Sequence, residues 1–185
     1  PARALVGARW ARVGGRGGGL VGGGWVVADG GEAVADIGGR RREEPGVGEV
    51  ASQATGWRAL DEISTGQVKK IAVARARTRR HVWGLMNASP EGFPASRVAG
   101  TDLDKLIVLD VDATVVIAHS EKELASPTFK RTFGYHPIGV WCDNTNEFLA
   151  AILRTGRAGS NTAADHIEVL TAAIAQVPAA QRKNL

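Results

Sequence analysis

The segment KLIVLDVDATVV, which begins at Lys105, places two carboxylates directly after a run of four apolar residues. A short aliphatic run of this kind predicts a buried β-strand. Asp110 and Asp112 are two residues apart, so on a strand both side chains point to one face of the sheet while Val111 points to the other. Carboxylates this close repel each other unless a cation or hydrogen-bond donors neutralise them. The segment therefore predicts a strand whose end carries chemistry.

Two further apolar runs and a periodic helix follow this strand. The predicted strands lie within residues 105–112, 138–141 and 148–153, and each is bounded by turn-forming or polar residues. A helix is predicted from about residue 160 to Val177, because four apolar residues recur at intervals of three, four and three before Pro178. The order strand, strand, strand, helix predicts a mixed α/β (α+β) domain.

A basic helix pair is predicted upstream. A short helix around Trp57 is followed by Gly66, which we expect to break it, and then by a second helix. That second helix carries six cations and no acidic residue between its first and last cation: Lys69, Lys70, Arg75, Arg77, Arg79 and Arg80. Such a local excess favours a polyanionic partner, and two helices with a tight break are compatible with a DNA-binding helix-turn-helix. The alternative is a solvated helix whose cations only maintain solubility.

These patterns predict four regions. Residues 1–50 are glycine-rich and expected to be poorly ordered, residues 51–86 form the helical module, residues 87–102 form a linker, and residues 103–185 form the second domain. Trp57, Trp83 and Trp141 are expected to anchor the cores of their local elements, and Cys142 is expected to be a small buried hydrophobe.

Composition excludes several classes of protein. A single cysteine excludes an intramolecular disulfide framework and a multi-cysteine zinc site, which favours a reducing, cytoplasmic location. No apolar run approaches the length of about 18 residues that a membrane span needs, so no membrane partner is expected. The chain begins at Pro1 and its one methionine is Met86, so we expect a piece of a longer reading frame.

Two enzyme families carry acids in this pattern. Residues 110–114, DVDAT, resemble the first motif of haloacid-dehalogenase-type phosphatases. That resemblance implies a magnesium-dependent phosphatase with Asp110 as the nucleophile and Asp112 as acid and base. It also requires a doubly wound sheet with a later lysine and a later acidic pair, and no apolar strand after Asp143 ends in acids.

The second resemblance covers about 70 residues. After LDVDATVV the chain continues with FGYHPIGVWCDN from Phe133 and EFLAAILRTGRAGSNTAADH from Glu147. In this order the segments resemble the bacterial insertion-sequence transposases that use a D, D and E triad. Thr155 and Arg157 stand where that family usually has Pro and Asn, and Asn146 replaces a usual Gly. The resemblance implies the first half of an RNase H-like fold, in which three antiparallel strands precede a helix.

The transposase resemblance also implies a site and a chemistry. Asp112, which is followed by Ala113 and Thr114, matches the first acid of the triad, and in the family this acid is a metal ligand. Asp110 is a neighbour that could assist it. The family holds two Mg²⁺ (or Mn²⁺) ions and cuts and joins double-stranded DNA at the element ends; a homodimer is expected in the intact protein. The other two acids are expected after Val177, so this chain is expected to be incomplete and inactive. A third hypothesis is a DNA-binding module without catalysis.

Overall fold

The computed structural model describes residues 52–119, 121–159 and 162–185. The prediction of poor order for residues 1–50 lies outside these described residues. The chain divides into two compact units between Ala74 and Arg75. The predicted boundaries at residues 86 and 102 stay a prediction.

Two helices open the described part of the chain, α1 over Gln53–Asp61 and α2 over Thr65–Ala88. Ser52 caps α1, because its side-chain oxygen accepts a hydrogen bond from the Thr55 amide at 3.2 Å. The expected break at Gly66 is wrong, since Gly66 lies in the first turn of α2. The amide of Ser64 donates to Oε1 of Gln67 at 2.6 Å, which is half of a capping box and starts α2 one residue before the glycine.

Trp57 on α1 is not a core anchor, which corrects the prediction for this residue. It exposes 57% of its surface, and Leu60 on the same helix is also exposed. The apolar spacing of α1 therefore identifies the helix correctly and its burial incorrectly. In the part of the chain that the structure describes, no helix is long and apolar enough to cross a membrane.

The described residues form eight strands in three antiparallel sheets. They are β1 (Arg97–Val98), β2 (Thr101–Asp102), β3 (Leu109–Ala113), β4 (Val116–Ile117), β5 (Ser126–Pro127), β6 (Phe133–Tyr135), β7 (Ile138–Cys142) and β8 (Glu147–Ile152). The largest sheet has the order β3-β7-β8, a smaller one has the order β4-β6-β5, and β1 pairs with β2 alone. Helix α3 over Ala163–Gln176 follows β8.

The sheet β3-β7-β8 and helix α3 confirm the predicted order of three antiparallel strands and a helix. Its central strand β7 is buried along one face through Ile138, Val140 and Cys142, against which α3 packs. Val169 of α3 and the fully buried Trp83 of α2 complete this core, so Trp83 is a core anchor, as predicted. The phosphatase alternative is wrong, because it requires a parallel sheet here.

The small sheet β4-β6-β5 contains two strands, β5 and β6, that are not among the predicted elements, since the sequence between Ala118 and Pro137 is too charged for core strands. Its strands are two or three residues long, and Val116 and Ile117 are exposed, so neither length nor apolar alternation reveals them. Gly134 in β6 permits the pairing with β4, because a Cβ at this position would overlap the carbonyl oxygen of Val116. Backbone proximity, and not side-chain burial, builds this sheet.

Candidate active site and basic helix

Asp110 and Asp112 lie on β3 with both side chains exposed on one face, and Val111 faces the other way. Their cross-strand neighbours on β7 are Trp141 and Gly139. One carboxylate oxygen of Asp112 accepts a hydrogen bond from the Ala113 amide at 2.8 Å. The structure therefore places the two acids side by side on the face of the sheet that α3 does not cover.

An aromatic surface adjoins these acids. The indole of Trp141 lies across Gly139, where a Cβ would overlap the ring. The ring centroids of Trp141 and Phe148 are 5.7 Å apart in an edge-on arrangement. Trp141 is thus partly exposed on the acid-bearing face and does not belong to the core between the sheet and α3, which corrects its predicted role. A glycine opposite Asp112 leaves the space that the indole occupies.

The acids do not make a metal centre by themselves. Carboxylate oxygens suit Mg²⁺ and Mn²⁺, but the described residues contain no group of three potential ligands from histidine, cysteine, aspartate and glutamate. Two other carboxylates in this unit are already engaged. Oε2 of Glu147 accepts hydrogen bonds from Arg79 Nε at 2.9 Å and Trp83 Nε1 at 3.0 Å, and Asp143 accepts one from the Ser96 hydroxyl. The described side chains therefore do not provide the set of ligands that a two-metal site needs.

Two of the six candidate DNA-binding cations point into their own unit. Arg79 is only 6% exposed, and besides Glu147 its guanidinium donates to Oε1 of Gln176 at 2.8 Å. Arg75 donates to the carbonyl oxygens of Phe148 and Leu149, and its guanidinium lies 5.2 Å from the centroid of the Phe148 ring. Burial lowers the pKa of Arg75 below its ordinary value, with the charge of Arg79 adding to the effect. These contacts stabilise the attachment of α2 to β8.

The other four candidate cations, Lys69, Lys70, Arg77 and Arg80, are exposed. Lys69 and Lys70 precede the boundary between the two units, and Arg77 and Arg80 follow it. All four lie on helix α2, so the positive charge predicted for this helix is available to solvent at these positions.

The structure also joins two motif segments, GYHP and LRTG, whose contact no periodicity predicts. His136 is 1% exposed, and its Nδ1 lies 2.7 Å from the carbonyl oxygen of Ala158. Arg154 Nε donates to the carbonyl oxygen of His136 at 2.9 Å, while its Nη1 donates to Asp165 at 2.9 Å. Arg154 therefore links the start of β7 to helix α3. Only the family resemblance singles out these segments in the sequence, and the contacts described for them are structural.

Comparison with known proteins adds one finding. The family described as transposase DDE domain group 1 matches residues 32–184, which is more than half of the 185-residue chain. The matched range includes β3 with its two acids, helix α2 and both motif segments. No curated protein and no solved structure matches the chain.

Proposed function

Because the chain belongs to the transposase DDE domain group 1 family, we propose that it binds the DNA ends of a bacterial insertion element and supplies the first acid of the catalytic triad. The family acts in DNA transposition. The observation that carries the proposal is the position of Asp112, exposed on the first strand of an antiparallel three-stranded sheet that a helix follows. This order supports an RNase H-like fold.

Asp112 is the proposed first acid because Ala113 and Thr114 follow it, as in the family pattern. Asp110, on the same face of β3, is proposed to assist it. No strand among the described residues pairs with the other edge of β3, so that edge is available for further strands of a larger sheet. Additional acids could be brought beside Asp112 there, as a DDE triad requires.

Mg²⁺ or Mn²⁺ remains the proposed cofactor of a complete triad. Asp112 would be one of its ligands, and the metal would stabilise charge that develops at a DNA phosphate. Since the described residues bring no third ligand to Asp110 and Asp112, we expect residues 1–185 alone to bind DNA without cutting it. A homodimer is also proposed.

The exposed cations of α2 are proposed to contact DNA phosphates. Each phosphate contact contributes a log-log salt slope of about −0.9 on duplex DNA. Arg75 and Arg79 are proposed to act through the attachment of α2 to β8, since their guanidinium groups already donate to β8. The alternative of a non-catalytic DNA-binding module makes the same binding prediction and differs only in the role of Asp112.

Fluorescence anisotropy with a labelled duplex, measured over a salt series, tests the binding proposal. The variant Lys69→Gln, Lys70→Gln, Arg77→Gln, Arg80→Gln should bind more weakly, with a slope shallower by about 0.9 for each phosphate that is no longer neutralised. The control neutralises exposed cations elsewhere, Lys105→Gln with Lys183→Gln. If the α2 variant has the affinity and the salt slope of the wild type, α2 does not contact the DNA.

Plasmid cleavage tests the expected inactivity of the chain and, if cutting is observed, the role of Asp112. The wild-type chain with Mg²⁺ or Mn²⁺ should leave supercoiled DNA intact. If it does cut, the expected inactivity is wrong. Loss of that cutting in Asp112→Asn would then support the assignment of the first acid, and its persistence would overturn the assignment.

A further inference from the structure

The hairpin formed by β5 and β6 has a closed, well-defined tip at residues 128–132. The Thr128 amide donates to the carbonyl oxygen of Thr132 at 2.8 Å, and the two threonine hydroxyl oxygens are 2.7 Å apart. The Arg131 amide donates back to the Thr128 carbonyl oxygen at 3.1 Å, and Arg131 adopts a left-handed conformation with φ of 60°. The three residues between the threonines therefore form a defined turn at the end of the hairpin.

Those three residues combine an aromatic ring with two cations. Phe129 is 68% exposed, the highest value among the large apolar side chains of the described residues. Its ring centroid lies 5.3 Å from that of His136 in a tilted arrangement, while most of the ring's surface faces solvent. Lys130 and Arg131 are exposed beside it, and the Lys130 ammonium lies 5.8 Å from the centroid of the Phe129 ring. Neither cation forms an ion pair with any carboxylate of the described residues, so ring and charges are available to a partner.

The base of the hairpin is held in place by the segment that follows β8. A Cβ at Gly156 would overlap the carbonyl oxygen of Ser126, so the backbones of the two segments are in direct contact. The Arg157 amide donates to the Ser126 hydroxyl at 3.1 Å, and Tyr135 forms an isolated bridge with Thr155. The hairpin is thus attached at its base. Because its tip is already ordered before a partner binds, binding does not have to offset the entropy of ordering it, which favours affinity.

We propose that this tip is a second DNA contact, in which Lys130 and Arg131 bind phosphates and Phe129 stacks on an unpaired base. The inference rests on the proposed function, because it assumes that the chain binds DNA. Cations beside an exposed aromatic ring are the combination with which proteins bind single-stranded nucleic acid. The cations contact the backbone, and every base offers a face that can stack on the ring. A purely apolar partner would leave both charges without a counter-ion.

The probe is a labelled DNA duplex with a single-stranded extension at one 3′ end, compared with a blunt duplex of equal length. Phe129→Ala should weaken binding to the extended duplex by at least about 5-fold, as expected when one base no longer stacks on an aromatic ring. Binding to the blunt duplex should change by less than about twofold. Lys130→Gln with Arg131→Asn should weaken binding to both duplexes and reduce the salt slope by about 0.9 for each phosphate that is no longer neutralised. Asn is chosen because it tolerates the left-handed conformation of residue 131.

Matched controls separate the tip from a general surface effect. Ile167→Ala removes an apolar side chain from α3 that is 67% exposed, and Lys105→Gln with Lys183→Gln removes two exposed charges. Both controls should bind as the wild type does. Hydrogen exchange at the Thr128 amide confirms that each tip variant keeps its hairpin.

Three outcomes would overturn the inference. If the tip variants bind both duplexes as the wild type does while the α2 variant loses affinity, the tip makes no contact and the proposed function stands. If the wild type binds neither duplex, both proposals fail. Sedimentation could instead show that the wild type is a dimer and that Phe129→Ala is a monomer. If this change alone accounts for the weaker binding, the tip is a contact between copies of this chain.

Discussion

The two larger sheets within residues 75–185 are stabilised in different ways. The sheet β3-β7-β8 buries Ile138, Val140 and Leu149 completely against α3 and its surroundings. The sheet β4-β6-β5 leaves Val116 and Ile117 exposed and is held by close backbone contacts at Gly134 within it and at Gly156 beside it. Side-chain burial leaves a periodic pattern in the sequence, whereas backbone contact leaves only isolated glycines. This difference explains why the sequence pattern predicts the first sheet and not the second.

The comparison also has an energetic side. Complete burial of an aliphatic side chain contributes about 1.5–3 kcal/mol, so β7 and its neighbours gain several such contributions. The small sheet lacks them and relies on a few hydrogen bonds, each contributing about 0.5–1.5 kcal/mol net. We therefore expect the small sheet to open locally at a lower free energy than the large one.

The largest expected effect comes from removing the core indole. Trp83→Ala should lower the free energy of unfolding by about 3–5 kcal/mol, because it leaves a cavity and removes the hydrogen bond that the indole donates to Glu147. Urea denaturation followed by circular dichroism measures this change. The same substitution at the exposed Trp57 should change the stability by less than about 0.5 kcal/mol. Equal losses at both positions would contradict the burial described for Trp83.

An intermediate effect is expected for glycine in the small sheet. Gly134→Ala should cost about 1–3 kcal/mol, because the new methyl group meets the Val116 carbonyl oxygen and β4 must move away. Hydrogen exchange should show faster exchange at the Ala118 amide, which donates to the carbonyl oxygen of Phe133 at 2.9 Å, with little change in β7.

Gly84 provides a control of opposite sign. It lies in α2 with no atom within 4 Å of an added Cβ, so Gly84→Ala should stabilise the helix by about 0.5–1 kcal/mol. Loss of protection throughout β7 in Gly134→Ala would show that the two sheets unfold together.

The smallest effect concerns the buried Cys142 thiol. Burial raises its pKa above the ordinary value, against the hydrogen bonds from Thr145 that lower it. The unfolded thiol, with a pKa of about 8.5, therefore loses its proton first, and stability falls as the pH rises above that value and through the folded pKa. The loss should stay below about 1 kcal/mol at pH 9. Urea denaturation at pH 7 and pH 9 measures it, and Cys142→Ala should remove this part of the pH dependence.

Much of the large sheet could be predicted from local pattern. Its strands and α3 begin and end within a few residues of the predicted positions, and the two acids of β3 share a face because strand geometry requires it. The order of the motif segments identifies the family. The positions of Trp57 and Trp141 are not predictable in this way, because a tryptophan at helical or strand spacing does not reveal which surface will cover it.

The sequence by itself determined the order of strands and helix, the common face of Asp110 and Asp112, and the positive charge of α2. Only the tertiary structure decided which cations of α2 are exposed and which are buried. Arg79, for example, donates a hydrogen bond to Glu147, which lies 68 residues later in the chain. Local periodicity depends on neighbouring residues, and a sequence displays it directly. The partner of a charged group depends on which distant segment folds against it, so only the assembled fold distinguishes a buried arginine from one that is exposed to solvent.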